Sequence, residues 1–243
     1  MKAQVFLTPA AGKKLIARAV CRLPEVVSAM KDHTIVIIKG TGNAYIAEEL
    51  LHLINEPFTG KGFYRGISVP PGTELSPLQK EDLVIRKGSR IHGMTVFDAV
   101  ETLGPGDVLV KGANAVHLAS RTCGVLIGNP TGGTMNAVRQ AKAQGAEVLF
   151  AVGVEKRVDV PTDQLAVRNE GAAGLRFFPG DGEIITELDA FSQLYGLQAE
   201  ILAAGGVAGA EGGAWFLLEG EEETLAQCFK DLEDIRNVPL YEV

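Results

Sequence analysis

The sequence predicts an α/β protein: a mostly parallel sheet with helices on both faces, followed by a small α+β unit. Three observations carry this reading. Apolar runs that end in glycine-rich turns alternate with amphipathic helical segments. The β-branched run Thr34-Ile35-Val36-Ile37-Ile38 shows no polar alternation, as expected of a strand buried on both faces. Beyond about Gly180 the order becomes helix, two strands, helix, the middle of a split βαβ unit. Residues 1–179 are therefore read as a Rossmann-like, anion-binding α/β domain and residues 180–243 as a ferredoxin-like α+β domain.

In chain order, residues 10–30 have helical periodicity, with Leu15, Ile16, Ala19 and Val20 on one side and a break at Leu23-Pro24. The strand at 34–38 closes in Lys39-Gly40-Thr41-Gly42-Asn43, and Ala47, Leu50, Leu51 and Ile54 mark the next helix, with Asn43 as its N-cap. Between 58 and 93 the pattern loosens, with short strand candidates at 67–69 and 83–85 around the Pro70-Pro71-Gly72 turn. A helix at 96–102 and a strand at 107–111 follow, the strand closing in Gly112-Ala113-Asn114. The run Gly124-Val125-Leu126-Ile127 leads through Gly128-Asn129-Pro130-Thr131-Gly132-Gly133-Thr134 into a helix at 135–144, and residues 147–152 form another strand ending in Gly153-Val154-Glu155-Lys156-Arg157. In the last part, Ile184, Leu188, Phe191 and Leu194 mark a helix, and 199–204 and 214–218 read as strands joined by a glycine-rich hairpin holding Glu211. Leu225, Cys228, Phe229, Leu232 and Ile235 form the final helical stripe, with 175–178 and 240–243 as outer strands.

Composition bounds the function. A net charge of −7 over 243 residues argues against a nucleic-acid or acidic membrane surface. Cys21, Cys123 and Cys228 are odd in number and far apart, which fits a reducing, cytoplasmic setting without a disulfide framework. No apolar run approaches a membrane span, and none begins the chain in the manner of a signal peptide. The 29 glycines exceed the usual share of roughly 7 %, and many follow apolar runs, so the excess belongs to tight turns at strand ends.

Ligands of an open parallel sheet bind beyond the carboxyl ends of its strands. Four turns are expected to gather there, offering free backbone amides, Thr and Asn side chains and the cations Lys39, Lys111, Lys156 and Arg157. That combination suits a phosphate or carboxylate. The expected ligand-binding residues are Gly40, Thr41, Gly42 and Asn43; Lys111, Gly112 and Asn114; and Gly128, Asn129, Thr131, Gly132, Gly133 and Thr134. Glu155, with Lys156 beside it, is the catalytic candidate by position at a strand end. Sharper motifs fail. Thr134 stands where a Walker A loop needs its lysine, and Tyr45 replaces the third glycine of a dinucleotide fingerprint, so no nucleotide cofactor is expected. His33, His52, His92 and His117 lack metal-ligand spacing, Ser68, Ser89 and Ser120 lack a nucleophile-elbow setting, and Cys123 reads as packing.

On residues 34–50 and 107–141 the chain resembles the superfamily of ribose-5-phosphate isomerase, glucosamine-6-phosphate deaminase and the CoA transferases. Ile35-Val36-Ile37-Ile38 followed by Gly40-Thr41-Gly42-Asn43-Ala44 is similar to that isomerase's first strand and its phosphate-gripping Gly-Thr-Gly-Ser-Thr turn. The resemblance implies a homodimer, a sugar-phosphate-binding cleft and an isomerase- or transferase-like activity. Where the isomerase carries Asp-Gly-Ala-Asp-Glu, this sequence reads Lys111-Gly112-Ala113-Asn114-Ala115, so the family's general-base carboxylates are absent. The expectation is a binder of a small phosphorylated or carboxylated molecule, enzymatic through Glu155 or, alternatively, a non-catalytic sensor, with no metal or cofactor.

Overall fold

The computed structural model describes residues Met1–Val243 as eight α-helices and twelve strands. The strands are β1 (Lys2–Leu7), β2 (Thr34–Ile37), β3 (Leu83–Arg86), β4 (Ser89–Ile91), β5 (Val108–Gly112), β6 (Ala115–His117), β7 (Thr122–Ile127), β8 (Glu147–Ala151), β9 (Arg176–Pro179), β10 (Glu183–Ile185), β11 (Gln198–Ala204) and β12 (Ala214–Glu219). The helices are α1 (Pro9–Val20), α2 (Pro24–Asp32), α3 (Asn43–Leu53), α4 (Val96–Ala99), α5 (Thr134–Ala143), α6 (Thr162–Asn169), α7 (Glu187–Tyr195) and α8 (Glu222–Glu233). No helix is long and apolar enough to cross a membrane.

The mostly parallel, Rossmann-like sheet expected from the sequence does not form. Three sheets form instead: β10-β8-β5-β2-β3-β4, β1-β12-β11 and β6-β7-β9. Six of the nine strand pairings are antiparallel; only β10 with β8, β8 with β5, and β5 with β2 run parallel. Two local causes account for the difference. Lys87 and Gly88 both take positive φ, 50° and 73°, the two-residue turn whose twist matches a hairpin, so β4 folds back antiparallel on β3, which itself pairs antiparallel with β2. The run containing Val125 and Ile127 pairs with β6 and β9 in its own antiparallel sheet, because Leu118–Arg121 turns the chain back at once, with Arg121 at φ 52°.

The ferredoxin-like unit is corrected too. Its third strand is β1, from the opposite end of the chain, paired in register from Lys2 with Glu219 to Leu7 with Ala214. The expected outer strands go elsewhere: Arg176–Pro179 pairs with β7, and residues 240–243 form no strand. Ile184, expected on a helix, sits in β10, and residues 67–69 are irregular.

What does hold is burial on both faces of the parallel core. Ile35, Ile37, Val108, Val110, Leu149 and Ala151 face the α1, α2 and α3 side. Val36, Ile38, Leu109, Val148 and Phe150 face the α4, α5 and β6-β7 side. A third core forms between α1, α7, α8 and the small sheet. Helix α1 belongs to two of these cores, with Ile16, Ala17 and Val20 in one and Ala11, Leu15 and Ala19 in the other. A helix packed on two sides needs small residues, which explains Ala10-Ala11-Gly12 at its start; a Cβ on Gly12 would come within 2.4 Å of the Glu187 carboxylate. Thr8 caps α1, its Oγ1 accepting the Ala11 amide at 3.2 Å.

Candidate functional site

The turns that follow β2, β5, β7 and β8 open onto one cavity of about 690 Å³, within the size range of small-molecule sites. Gly40, Thr41 and Gly42 line it after β2, and Gly128, Asn129 and Gly133 line it after β7. None of these six amides donates to an acceptor within the chain. The first set leads into the eleven-residue α3 and the second into the ten-residue α5, so free N–H groups and the positive ends of two helix dipoles meet at one opening.

Gly133 makes the second turn possible. Its backbone, at φ 48° and ψ −124°, is one that a side chain resists, and α5 has no side-chain cap. Asn129 holds the turn by accepting the Thr131 amide on Oδ1 at 2.9 Å. Asn43 organises the first turn differently from the N-cap expected of it. It is the first residue of α3 and fully buried, and its Nδ2 donates to the Ile38 carbonyl at 2.8 Å and the Val110 carbonyl at 3.3 Å, tying β2 to β5. Its Oδ1 is buried at the cavity wall with no partner.

Five cations, Lys13, Lys39, Arg65, Lys111 and Lys156, line the cavity, and no Asp or Glu does. Four are held by the protein. Arg65 donates to the buried Asp82 carboxylate and lies over the Phe97 ring at 5.4 Å. Asp82 also accepts the Lys39 amide at 2.9 Å and the Val96 amide at 2.7 Å, so this one acid fixes Arg65 and the end of β2 together. Lys39 donates to the Gln79 carbonyl, Lys156 to the Ala113 carbonyl at 3.0 Å, and Lys13 pairs with Glu155 at 3.7 Å.

Lys111 differs: it is 8 % exposed, and its Nζ has neither a hydrogen-bond nor an ion-pair partner among the chain's contacts. Burial, with the Arg65 charge next in weight, pushes its ammonium down to about 8 from 10.5. Burial also lowers Lys39 and Lys156. A cluster of positive charge withdrawn from water and short of counter-charge is the environment an anion relieves.

Most of the sequence-expected residues line this cavity: Gly40, Thr41, Gly42, Asn43, Lys111, Gly112, Asn114, Gly128, Asn129, Gly133, Thr134 and Lys156. Thr131 and Gly132 shape the second turn without lining the cavity, and Arg157 faces a separate, smaller pocket. Glu155 faces that pocket as well, alongside Asp159 and Gly212. Both its carboxylate oxygens are buried without a hydrogen bond, and it reaches the main cavity only through Lys13. Near it, Glu187 accepts the Val154 amide at 2.8 Å and is pushed up to about 8, by burial first and by Glu155 second.

Sequence reasoning missed Lys13, Arg65, Tyr45, Phe97 and Tyr241. Tyr45 and Tyr241 pack at 4.6 Å between ring centroids and form the apolar wall with Val125 and Ile127. Lys13 sits mid-helix and Arg65 in an irregular loop, where nothing local marks a residue as facing a ligand. The unbroken apolar stripe of α1 would have placed Lys13 beside the core, the one available hint.

No family model matches the sequence, and neither a curated protein nor a solved structure matches it.

Proposed function

We propose that this protein binds a small phosphorylated or carboxylated molecule, with the anionic group among Arg65, Lys39 and the amides of the β2 and β7 turns. One observation carries the reading: five cations and no acidic side chain surround a cavity in a protein whose net charge is −7. Concentrating positive charge against the molecule's overall sign raises the local concentration of anionic ligands. The likeness of Gly40-Thr41-Gly42-Asn43 to a phosphate-gripping turn supports the same ligand class. The apolar wall of Tyr45, Phe97 and Tyr241 suits the uncharged body of such a molecule.

A ligand sensor without turnover is the second reading, favoured by the absence of any Asp or Glu side chain in the lining. Three free cysteines, two of them buried, support placement in a reducing cytoplasm.

Titration calorimetry with ribose 5-phosphate, and with ribose as the uncharged control, tests the binding. The phosphate ester is expected to bind one to one and ribose not measurably. Arg65→Ala is expected to weaken binding by about 10- to 100-fold, the worth of a charge-assisted contact. Equal affinity for the two sugars would remove the anion from the proposal.

A further inference from the structure

Lys111 is buried further than an anion contact requires, and its position differs from that of every other cation in the cavity. Lys13, Lys39, Arg65 and Lys156 each donate to or pair with an acceptor within the chain, which ties the nitrogen down. Lys111 emerges from the end of the central strand β5 with its amine free, in the field of Arg65 and Lys156. One residue before it, the Val110 carbonyl accepts from Asn43 Nδ2, which fixes the strand end that carries Lys111.

An amine with no partner in the chain, in a site built to hold an anion, is the arrangement that carbonyl chemistry needs. We infer that the Lys111 amine condenses with an aldehyde or ketone that carries a phosphate or carboxylate group, forming a covalent imine. The inference rests on the anion-binding reading above, since the charged group must dock before the carbonyl can reach Nζ. In the step, the Lys111 nitrogen lone pair forms the bond to the carbonyl carbon while the C=O π pair moves to oxygen. The oxygen takes a proton from the attacking nitrogen and becomes a hydroxyl. The ammonium gives up two protons in all, both leave with the carbonyl oxygen as water, and the product is a protonated imine of unchanged charge. No oxidant or reductant takes part. In the unliganded protein, with its proton affinity lowered to about 8, roughly one Lys111 in ten is uncharged at pH 7, against fewer than one in a thousand for an ordinary lysine; a docked anion raises that affinity again, and the reaction draws on the uncharged fraction that remains.

Reductive trapping tests this on the full chain. The protein is incubated with glycolaldehyde phosphate and cyanoborohydride at pH 7, digested, and the modified lysines are mapped by mass spectrometry. Glycolaldehyde serves as the uncharged probe, and inorganic phosphate as competitor. The expected result is one dominant adduct at Lys111, formed at least about tenfold faster than at any other lysine and slowed by inorganic phosphate. Lys111→Arg, with folding checked by thermal unfolding, should lose that adduct. The wild-type map decides the matter without the variant: labelling spread over the exposed lysines, or a dominant adduct elsewhere, overturns the inference. Calorimetry of glycerol 3-phosphate, which has no carbonyl, separates the two ideas. Binding without a Lys111 adduct refutes the amine chemistry alone, and absence of both refutes the anion site as well.

Discussion

A lysine held in a protein interior without a counter-charge costs stability, and Lys111 makes that cost measurable. Its folded value of about 8 lies below the ordinary 10.5. Below pH 8 both folded and unfolded chains carry the charge, and only the folded one carries it at a desolvation cost. Between pH 8 and 10.5 the unfolded chain binds more protons, so stability rises with pH across that window. Lys111→Met removes the cost and the rise together. Urea denaturation should show the variant more stable at pH 7 by up to about 3 kcal/mol, with the advantage shrinking to nothing above pH 10.5, while anion binding falls. A variant less stable than wild type at pH 7 would mean that the ammonium is satisfied in the fold.

Glu187 works in the opposite direction. Its folded value is raised to about 8 from 4.5, so between those values the unfolded chain sheds a proton that the folded chain keeps. Stability therefore falls as pH rises from 4.5 to 8. Glu187→Gln keeps an acceptor for the Val154 amide and has no proton to lose. Denaturation curves at pH 5 and pH 8 should show the variant gaining on wild type at the higher pH; parallel behaviour would contradict the burial of an acid there.

At the scale of elements, the site is a set of strand ends, and each is fixed by local geometry. The β7 turn depends on Gly133, whose φ of 48° and ψ of −124° suit no side chain. Gly133→Ala should cost about 1–3 kcal/mol in thermal unfolding and weaken phosphate binding, since the turn's free amides would be re-aimed. Unchanged binding would place the anion elsewhere in the cavity. The glycine turns were legible because their signal is local: an apolar run, glycine, then a helical stripe. Strand direction was not, because Val125-Leu126-Ile127 reads the same in a parallel or an antiparallel pair. The Lys87-Gly88 hairpin carried a readable turn signal, and only its lysine at φ 50° departs from the usual residues for such a turn.

Across the whole molecule, the first strand closes the sheet built by the last third of the chain, and α1 joins that sheet's core to the central one. This long-range closure has no signature in local periodicity, so the small C-terminal unit looked self-sufficient in the sequence. The same closure brings Lys13 on α1 to the cavity wall, beyond the reach of motif reasoning. Lys39, Lys111 and Lys156, by contrast, flank strand ends and were readable as cations on one rim. The acidic surface and basic cavity together imply binding that weakens as salt is added.

The most direct check on that convergence of charge is a 13C NMR titration of lysine Cε signals, with Lys111 assigned by comparison with Lys111→Arg. In the free protein Lys111 is expected to titrate near 8, and saturating inorganic phosphate is expected to move it back toward 10.5. A Lys111 that titrates near 10.5 and ignores phosphate would contradict an anion site at this cavity.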